Sequence, residues 1–496
     1  MDALSTPIGR RRLVVAATAI AAFVATGVAG ANVPLLKIDE DPYGNASSQH
    51  KTVVEPDTFA NGSTIVAAAQ FGRFYDGGAS NIGAARSTNS GQSWSFAFFP
   101  GIDGFSNPTG PYSRVTDPSV AYDVKHQVWM VSSIGLNAVV RGVAVIVTRS
   151  TNNGLSWLNP VTVKAAGPSD DLDKNWTVCD NLTTSPWFGS CYTVWDDFGH
   201  GNALKIAYSR DGGLTWTLST VPNVGVIGGQ PVVQPNGTVI VPLDNESETA
   251  LGSTRSTNGG VSFSAATTIT SISRFTDPGG IRSAALPSAE IDASGKVYVM
   301  WSDCRFRAAC ATNDIVYVTS TDGITWSAVQ RVPIDSVGSA VDHFIPGVAV
   351  DPATSGATAH VALAYYFFPN KSCTAATCQL DVGYVSSTNG GASWSAVTML
   401  AGPMTMSWLP NTSQGRMVGD YISTSFSGGT AHPVFPVALF PSAGGSDCAL
   451  ATPFCDQALY TPSSGLQAAA GSSVANEPVL VTAKPQPGRS AFKHRH

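Results

Sequence analysis

The chain has 496 residues, of which 49 are glycine and 31 proline, and only 12% are charged, half of the ~25% usual in globular domains. This composition excludes charge-driven disorder, long surface helices and coiled coils, and it suits short strands joined by tight turns. With 28 Lys+Arg against 34 Asp+Glu the net charge is −6, which argues against a nucleic-acid partner, since that needs a basic stripe.

The first element predicted is an export signal over residues 1–31. Arg10, Arg11 and Arg12 precede an uncharged run from Leu13 to Ala31, and Ala29-Gly30-Ala31 forms an A-x-A cleavage pattern. Gly9 to Val14 (GRRRLV) also resembles a twin-arginine address. A retained membrane anchor is the alternative reading of the same run. Cleavage after Ala31 predicts a secreted or cell-envelope protein with no membrane span in the mature chain; a monomer is expected separately.

Eight cysteines fall into four close pairs: Cys179/Cys191, Cys304/Cys310, Cys373/Cys378 and Cys448/Cys455. An even count suits an oxidising compartment, and pairing of neighbours staples four separate loops, although eight cysteines allow ~105 connectivities. Their spacings do not match paired zinc motifs. No metal and no cofactor is expected.

From residue 53 to about 400 two repeats alternate. The first is S-x-[DN]-x-G-x-[ST]-[WF], at Ser87–Trp94, Ser150–Trp157, Ser209–Trp216, Ser256–Phe263 and Ser387–Trp394, with a copy one residue shorter at Ser320–Trp326. Such a segment predicts a hairpin turn: the Asn or Asp bonds the backbone two residues on, glycine supplies positive φ, and the aromatic plugs the turn onto neighbouring strands. The second repeat is a residue followed by proline that opens a short strand: Glu55-Pro56, Asp117-Pro118, Ser185-Pro186, Gln230-Pro231, Leu286-Pro287 and Ile345-Pro346. Two further strands then run into each turn, as in VYVMW (297–301) and DIVYVTSTDG (314–323).

The turns resemble the Asp boxes, or BNR repeats, of the sialidase-like superfamily of β-propellers. The resemblance implies an all-β fold of four-stranded blades, with the turns on the blade periphery and without a catalytic role. Six units occupy 53–400, and GDYISTSF (419–426), HPVFPVALF (432–440) and QALYT (457–461) read as a further unit. Seven blades are therefore expected, six being the alternative. Residues 32–483 form one domain, closed by a strand from a terminus, either 33–38 or 477–483. Residues 462–476 and the tail 484–496 read as loose.

G-x-S-x-G, H-E-x-x-H, Walker and G-x-G-x-x-G signatures are absent. The resemblance implies a secreted glycosidase of exo-α-sialidase type acting on acidic glycans. In that family three arginines clamp the substrate carboxylate, a tyrosine is the nucleophile with a glutamate beside it, and an aspartic acid protonates the leaving group. By chain order the matching residues are Arg73, Arg305 and Arg416 for the clamp, Tyr421 for the nucleophile, Glu290 for its partner and Asp117 for the acid, with Asp76 as rival. All are expected to face one central channel. The family's Phe-Arg-Ile-Pro motif is missing, since Phe74 and Tyr75 follow Arg73.

Each residue also has a structural reading: Arg305 and Arg307 pairing with nearby acids, Arg416 pairing with Asp420, Asp117 capping a turn, and Tyr421 packing. Asp170, Asp171 and Asp173 read as a solvated loop rather than a calcium site. Two other functions fit a propeller: a non-catalytic carbohydrate- or protein-binding module, and a uronate lyase with His343 or Tyr421 as base.

Overall fold

The computed structural model describes residues 30–441, 447–448 and 455–471. The export segment as far as residue 29, the alternative closing strand at 477–483 and the tail at 484–496 lie outside the described residues. Among the described residues the chain is all-β, and its only helices are short 3-10 turns.

Among the described residues the strands form seven antiparallel units in chain order, with a separate two-stranded hairpin, Asn411–Thr412 with Gly415–Arg416, between the sixth and the seventh. The first strands of the units are Val53–Asn61, Arg114–Asp123, Leu172–Cys179, Val226–Gly229 with Val232–Val233, Ser288–Ile291, Asp342–Val350 and Ser423–Ser427. Units one and two are continuous through a single pairing, Ala79 with Val115. Each first strand packs on the next, and the seventh packs back on the first. The N-terminal segment supplies the last strand of unit seven: Leu35–Lys37 pairs with Gln457–Pro462. Part of the segment expected to be loose is ordered, since Leu466–Gln467 pairs with Thr430–Ala431. The short strand keeps that stretch against unit seven.

The second strands are buried along nearly all of their length, as in Val297–Asp303, which is buried throughout. That is why they read as unbroken apolar runs rather than alternating ones: both sheet faces are covered. Apolar cores fill the spaces between consecutive units. One of them holds Ile38, Val53, Ile65, Val434 and Leu459, and so joins the last unit to the first. Trp129, Trp195 and Trp301 on second strands are fully buried, and truncating a tryptophan in such a place costs about 3–5 kcal/mol.

The repeated turns join third to fourth strands, and their hydrogen bonds differ from the expected pattern. Ser87 Oγ accepts the Gly91 N–H at 2.9 Å, while Asn89 Oδ1 accepts the Ser93 N–H, four residues on, at 2.9 Å. The same two bonds recur around Asn152, Asp211, Asn258 and Asn389. Only in the shortened copy does the carboxylate, Asp322, bond two residues on, to the Ile324 N–H at 2.8 Å. Trp94 Nε1 donates to the Gly91 carbonyl at 3.0 Å, which folds the ring back under the turn. All four neighbouring cysteine pairs are disulfides.

Candidate functional site

The first strands share a kink. In units one, two, three, four and six the register slips within the strand. The residue at the slip has left-handed φ: Glu55 (56°), Asp117 (53°), Lys174 (49°), Gly228 (65°) and Ile345 (50°). Proline follows in three of the five, and a bulge suits it because proline has no N–H for the ladder. A non-glycine residue at positive φ stores roughly 1–3 kcal/mol of strain. Three of these residues are charged, and the kink turns them toward one another.

Glu55, Asp117 and Lys174 meet Arg73 from the end of a second strand, Arg282 from the segment before unit five, and Asp420 from the segment before unit seven. All six are buried. Arg282 holds Asp420 in a fork, Nε to Oδ1 at 2.7 Å and NH2 to Oδ2 at 2.5 Å. Lys174 Nζ donates to the same carboxylate. The Asp420 N–H donates to Glu55 Oε1 at 3.2 Å, and Gln70 bridges, donating to Glu55 and accepting from Arg73 NH1 at 2.9 Å. Asp117 Oδ2 accepts the Lys174 N–H at 3.3 Å. Gly419 lets the chain pass this close: its φ is +148°, and a Cβ there would lie 2.8 Å from the Tyr421 carbonyl oxygen and 2.9 Å from the Glu55 nitrogen.

Three cations and three carboxylates thus share one desolvated volume. Burial, followed by Asp420, pushes Glu55 above the ordinary glutamate range. Burial lowers Lys174 and Arg282, but the surrounding carboxylates, Asp420 first with Glu55 and Asp117, together outweigh it and hold both above their ordinary values. Burial and the Arg282 charge pull Arg73 down to about 10. Tyr421 borders the cluster at 7% exposure. Its hydroxyl donates to the Pro118 carbonyl at 3.2 Å and its ring meets Trp176 edge-on at 5.1 Å. Burial keeps the phenol protonated, and Glu55 is the first of the neighbouring charges that reinforce this. A cavity of about 20 Å³, lined by Lys174, Trp176, Gly228, Gln230, Leu286 and Tyr421, opens beside the ring.

A second cavity, of about 240 Å³, is lined by the first strands of all seven units and shares Trp176 and Gln230 with the first. Asp57 and Glu290 face it. Burial raises Asp57 to about 7, and burial together with the Asp57 charge raises Glu290 to about 8. No lysine, arginine or histidine is among its lining residues.

Of the residues expected at one site, Arg73, Asp117 and Tyr421 come together. Glu290 sits in the larger cavity with Asp57 instead. Arg305 is held by Asp303, two residues earlier, at 2.9 and 2.7 Å, and by Thr270 and Ser271 of the outer strand of unit four. Arg416 pairs with Asp447 at 2.8 Å and with the Leu409 carbonyl. The expected Arg416–Asp420 pair does not form, because Arg282 takes Asp420. Asp76 is exposed and paired with Arg114. Arg307 pairs with Asp314 and Asp335.

Asp170, Asp171 and Asp173 go to separate partners: the Gly167, Gly142 and Lys174 N–H groups. His343 is buried against Tyr365 and Phe367. Burial depresses its pKa, and Asp335 opposes the shift. No His343–Tyr421 contact of the kind a lyase site needs is present among the described residues. Among the described residues two groups bring their ligand atoms within 4.8 Å of one another, Asp170/Asp197/His200 and Asp314/Asp335/His343. In the second, Arg307 and Arg331 already neutralise the carboxylates.

Sequence reasoning missed Glu55, Lys174 and Arg282 as site residues. Glu55 carried a signal, since it precedes proline as Asp117 does. Lys174 occupies the same kink without a following proline, and Arg282 lies in a loop outside both repeats.

No protein-family model matches the chain, and no curated protein matches it. Among solved structures it is similar to a Hadza microbial sialidase (TM-score 0.45, 17% identity, covering 63% of this chain and 63% of that one). It is also similar to an α-L-arabinofuranosidase from Fusarium graminearum (TM-score 0.44, 11% identity, 70% and 92%), and to the NanB sialidase from Streptococcus pneumoniae (TM-score 0.41, 12% identity, 85% and 69%). The chain thus spans about 63% of the first of these structures. At these TM-scores the likenesses carry no weight for function. Among the described residues no helix is long and apolar enough to cross a membrane.

Proposed function

We propose that this chain is a secreted seven-bladed β-propeller and a glycoside hydrolase of exo-α-sialidase type acting on acidic glycans. The ring is supported by the cyclic packing of first strands and by the core that joins the last unit to the first. Four disulfides suit an oxidising compartment. The observation that carries the functional reading is the convergence of Arg73, Lys174 and Arg282 beside Tyr421, in a chain whose net charge is −6.

The fork of Arg282 on Asp420 is the contact a guanidinium makes with a substrate carboxylate. Arg73 and Lys174 add charge to that clamp. Glu55 takes the role first given to Glu290, because it is the charge beside Tyr421. Tyr421 Oη attacks the anomeric carbon and gives its proton to Glu55, while Asp117 protonates the departing oxygen. Water then hydrolyses the tyrosyl intermediate, with Asp117 taking the water proton and Glu55 returning its proton to the departing Tyr421 oxygen.

A second reading, a binding propeller without turnover, is favoured by one observation: Asp420 already occupies the Arg282 fork and bonds Lys174 Nζ. Assay of the mature protein on sialosides and uronate-containing oligosaccharides separates the two. Tyr421→Phe with unchanged melting temperature should lose at least about 100-fold in turnover. Wild type that binds but turns over no acidic glycan selects the second reading.

A further inference from the structure

Residues 274–283 form a loop that returns on itself around one carboxylate. Asp277 Oδ2 accepts from Arg274 NH2 at 2.5 Å and from the Ser283 hydroxyl, so it clips both ends of the loop together. Asp277 Oδ1 accepts from Asn313 Nδ2 at 2.9 Å. Asn313 also grips the loop backbone reciprocally: its Oδ1 accepts the Phe275 N–H and its Nδ2 donates to the Phe275 carbonyl, both at 2.8 Å. Behind it, Asp342 Oδ1 accepts the Asn313 N–H at 2.7 Å. The far side of the loop is tied down as well. Gly279 packs on the Cys378 sulfur, where a Cβ would come within 2.6 Å, and the Arg282 N–H donates to the Arg416 carbonyl at 2.7 Å.

This loop is neither of the two sequence repeats, and it delivers Arg282 to Asp420. A guanidinium fork tolerates little displacement, since both N–H groups must stay in line with one carboxylate. We infer that Asp277 and Asn313 are positioning residues for Arg282, setting the path of 274–283 so that the fork on Asp420 forms. This deepens, and for its importance to turnover rests on, the clamp assigned to Arg282 above. Burial and the neighbouring Asp277 charge push the Asp342 carboxyl well above the ordinary carboxylate range.

The test uses the full mature chain and needs no substrate. Hydrogen exchange is followed on peptides covering 274–283, and the Arg282 Nε–H signal is followed by NMR of arginine-labelled protein. In wild type that proton, held by Asp420, exchanges slowly. In Asp277→Ala and Asn313→Ala the loop should exchange at least about tenfold faster and the Nε–H signal should be lost, with the first strands of units one to three unchanged. Asp277→Asn, which keeps an acceptor for Arg274 and Ser283, should restore most of the protection. If the alanine variants fail to fold, the milder Asn313→Ser, which also removes the grip on Phe275, serves as the readout. Loop exchange and an Nε–H signal that stay as in wild type in Asn313→Ala or, where that variant fails to fold, in Asn313→Ser overturn the inference. Local loosening in a protein that cleaves no acidic glycan upholds it while sinking the hydrolase reading.

Discussion

Arg282 and Asp420 stand 138 residues apart in the chain, and their two-pronged contact joins the segment before unit five to the segment before unit seven. Lys174 from unit three completes the grip on the same carboxylate. One buried carboxylate therefore ties together three of the seven units on one side of Tyr421.

Removing that carboxylate leaves a guanidinium and an ammonium buried without their main partner. Asp420→Ala should lower the unfolding free energy by about 3–5 kcal/mol, because breaking a buried pair costs more than the pair contributes. Urea denaturation measures it. A loss under about 1 kcal/mol would mean that water or Glu55 replaces the carboxylate.

The carboxyls of the larger cavity make stability depend on pH. Asp57 is raised to about 7 and Glu290 to about 8, against about 4 in an unfolded chain. The folded state therefore keeps protons that the unfolded state has released. Their contribution is complete below about pH 4 and is lost as pH climbs through 7 and 8. Unfolding free energies measured from pH 4 to 9 should fall with rising pH, and Asp57→Asn with Glu290→Gln should flatten the slope. An unchanged slope would show that other groups dominate.

The N-terminal strand matters through its core contacts as well as its hydrogen bonds. Ile38 is fully buried between unit seven and unit one, and its N–H donates to the Leu459 carbonyl at 3.0 Å. Ile38→Ala should cost about 2–5 kcal/mol and lower the melting temperature. A neutral result would show that the junction repacks without it.

Processing and redox state are open to mass measurement. The secreted protein should begin at Asn32 and show no alkylatable thiol, since all eight cysteines are paired. An intact Met1 or free thiols would contradict this.

Much of the architecture was written in short stretches. Each repeated turn closes its bonds within a few residues, as Ser387 does with Gly391 and Asn389 with Ser393. Each disulfide likewise spans a separation of 12 or less. Local spacing is therefore enough to reveal both. The all-β class, the turn positions and the cysteine pairs were legible for that reason.

The site is a different kind of object. Its charges come from units one, two, three, five and seven, and only the return of unit seven to unit one brings Asp420 over Glu55. Chain order pointed to Arg305 and Arg416, but each is captured by a closer acid, Asp303 and Asp447. Arg282 and Lys174 gave no local signal: one lies in an irregular loop, and the other is turned inward by a left-handed kink that no following proline marks. The sequence by itself determined which neighbouring segments pair as strands within a unit and which loops are stapled, because those contacts are short-range; the pairing of Leu35–Lys37 with Gln457–Pro462 is not. Only the tertiary structure decided which charges share a desolvated volume, because in a ring that depends on where the last unit meets the first.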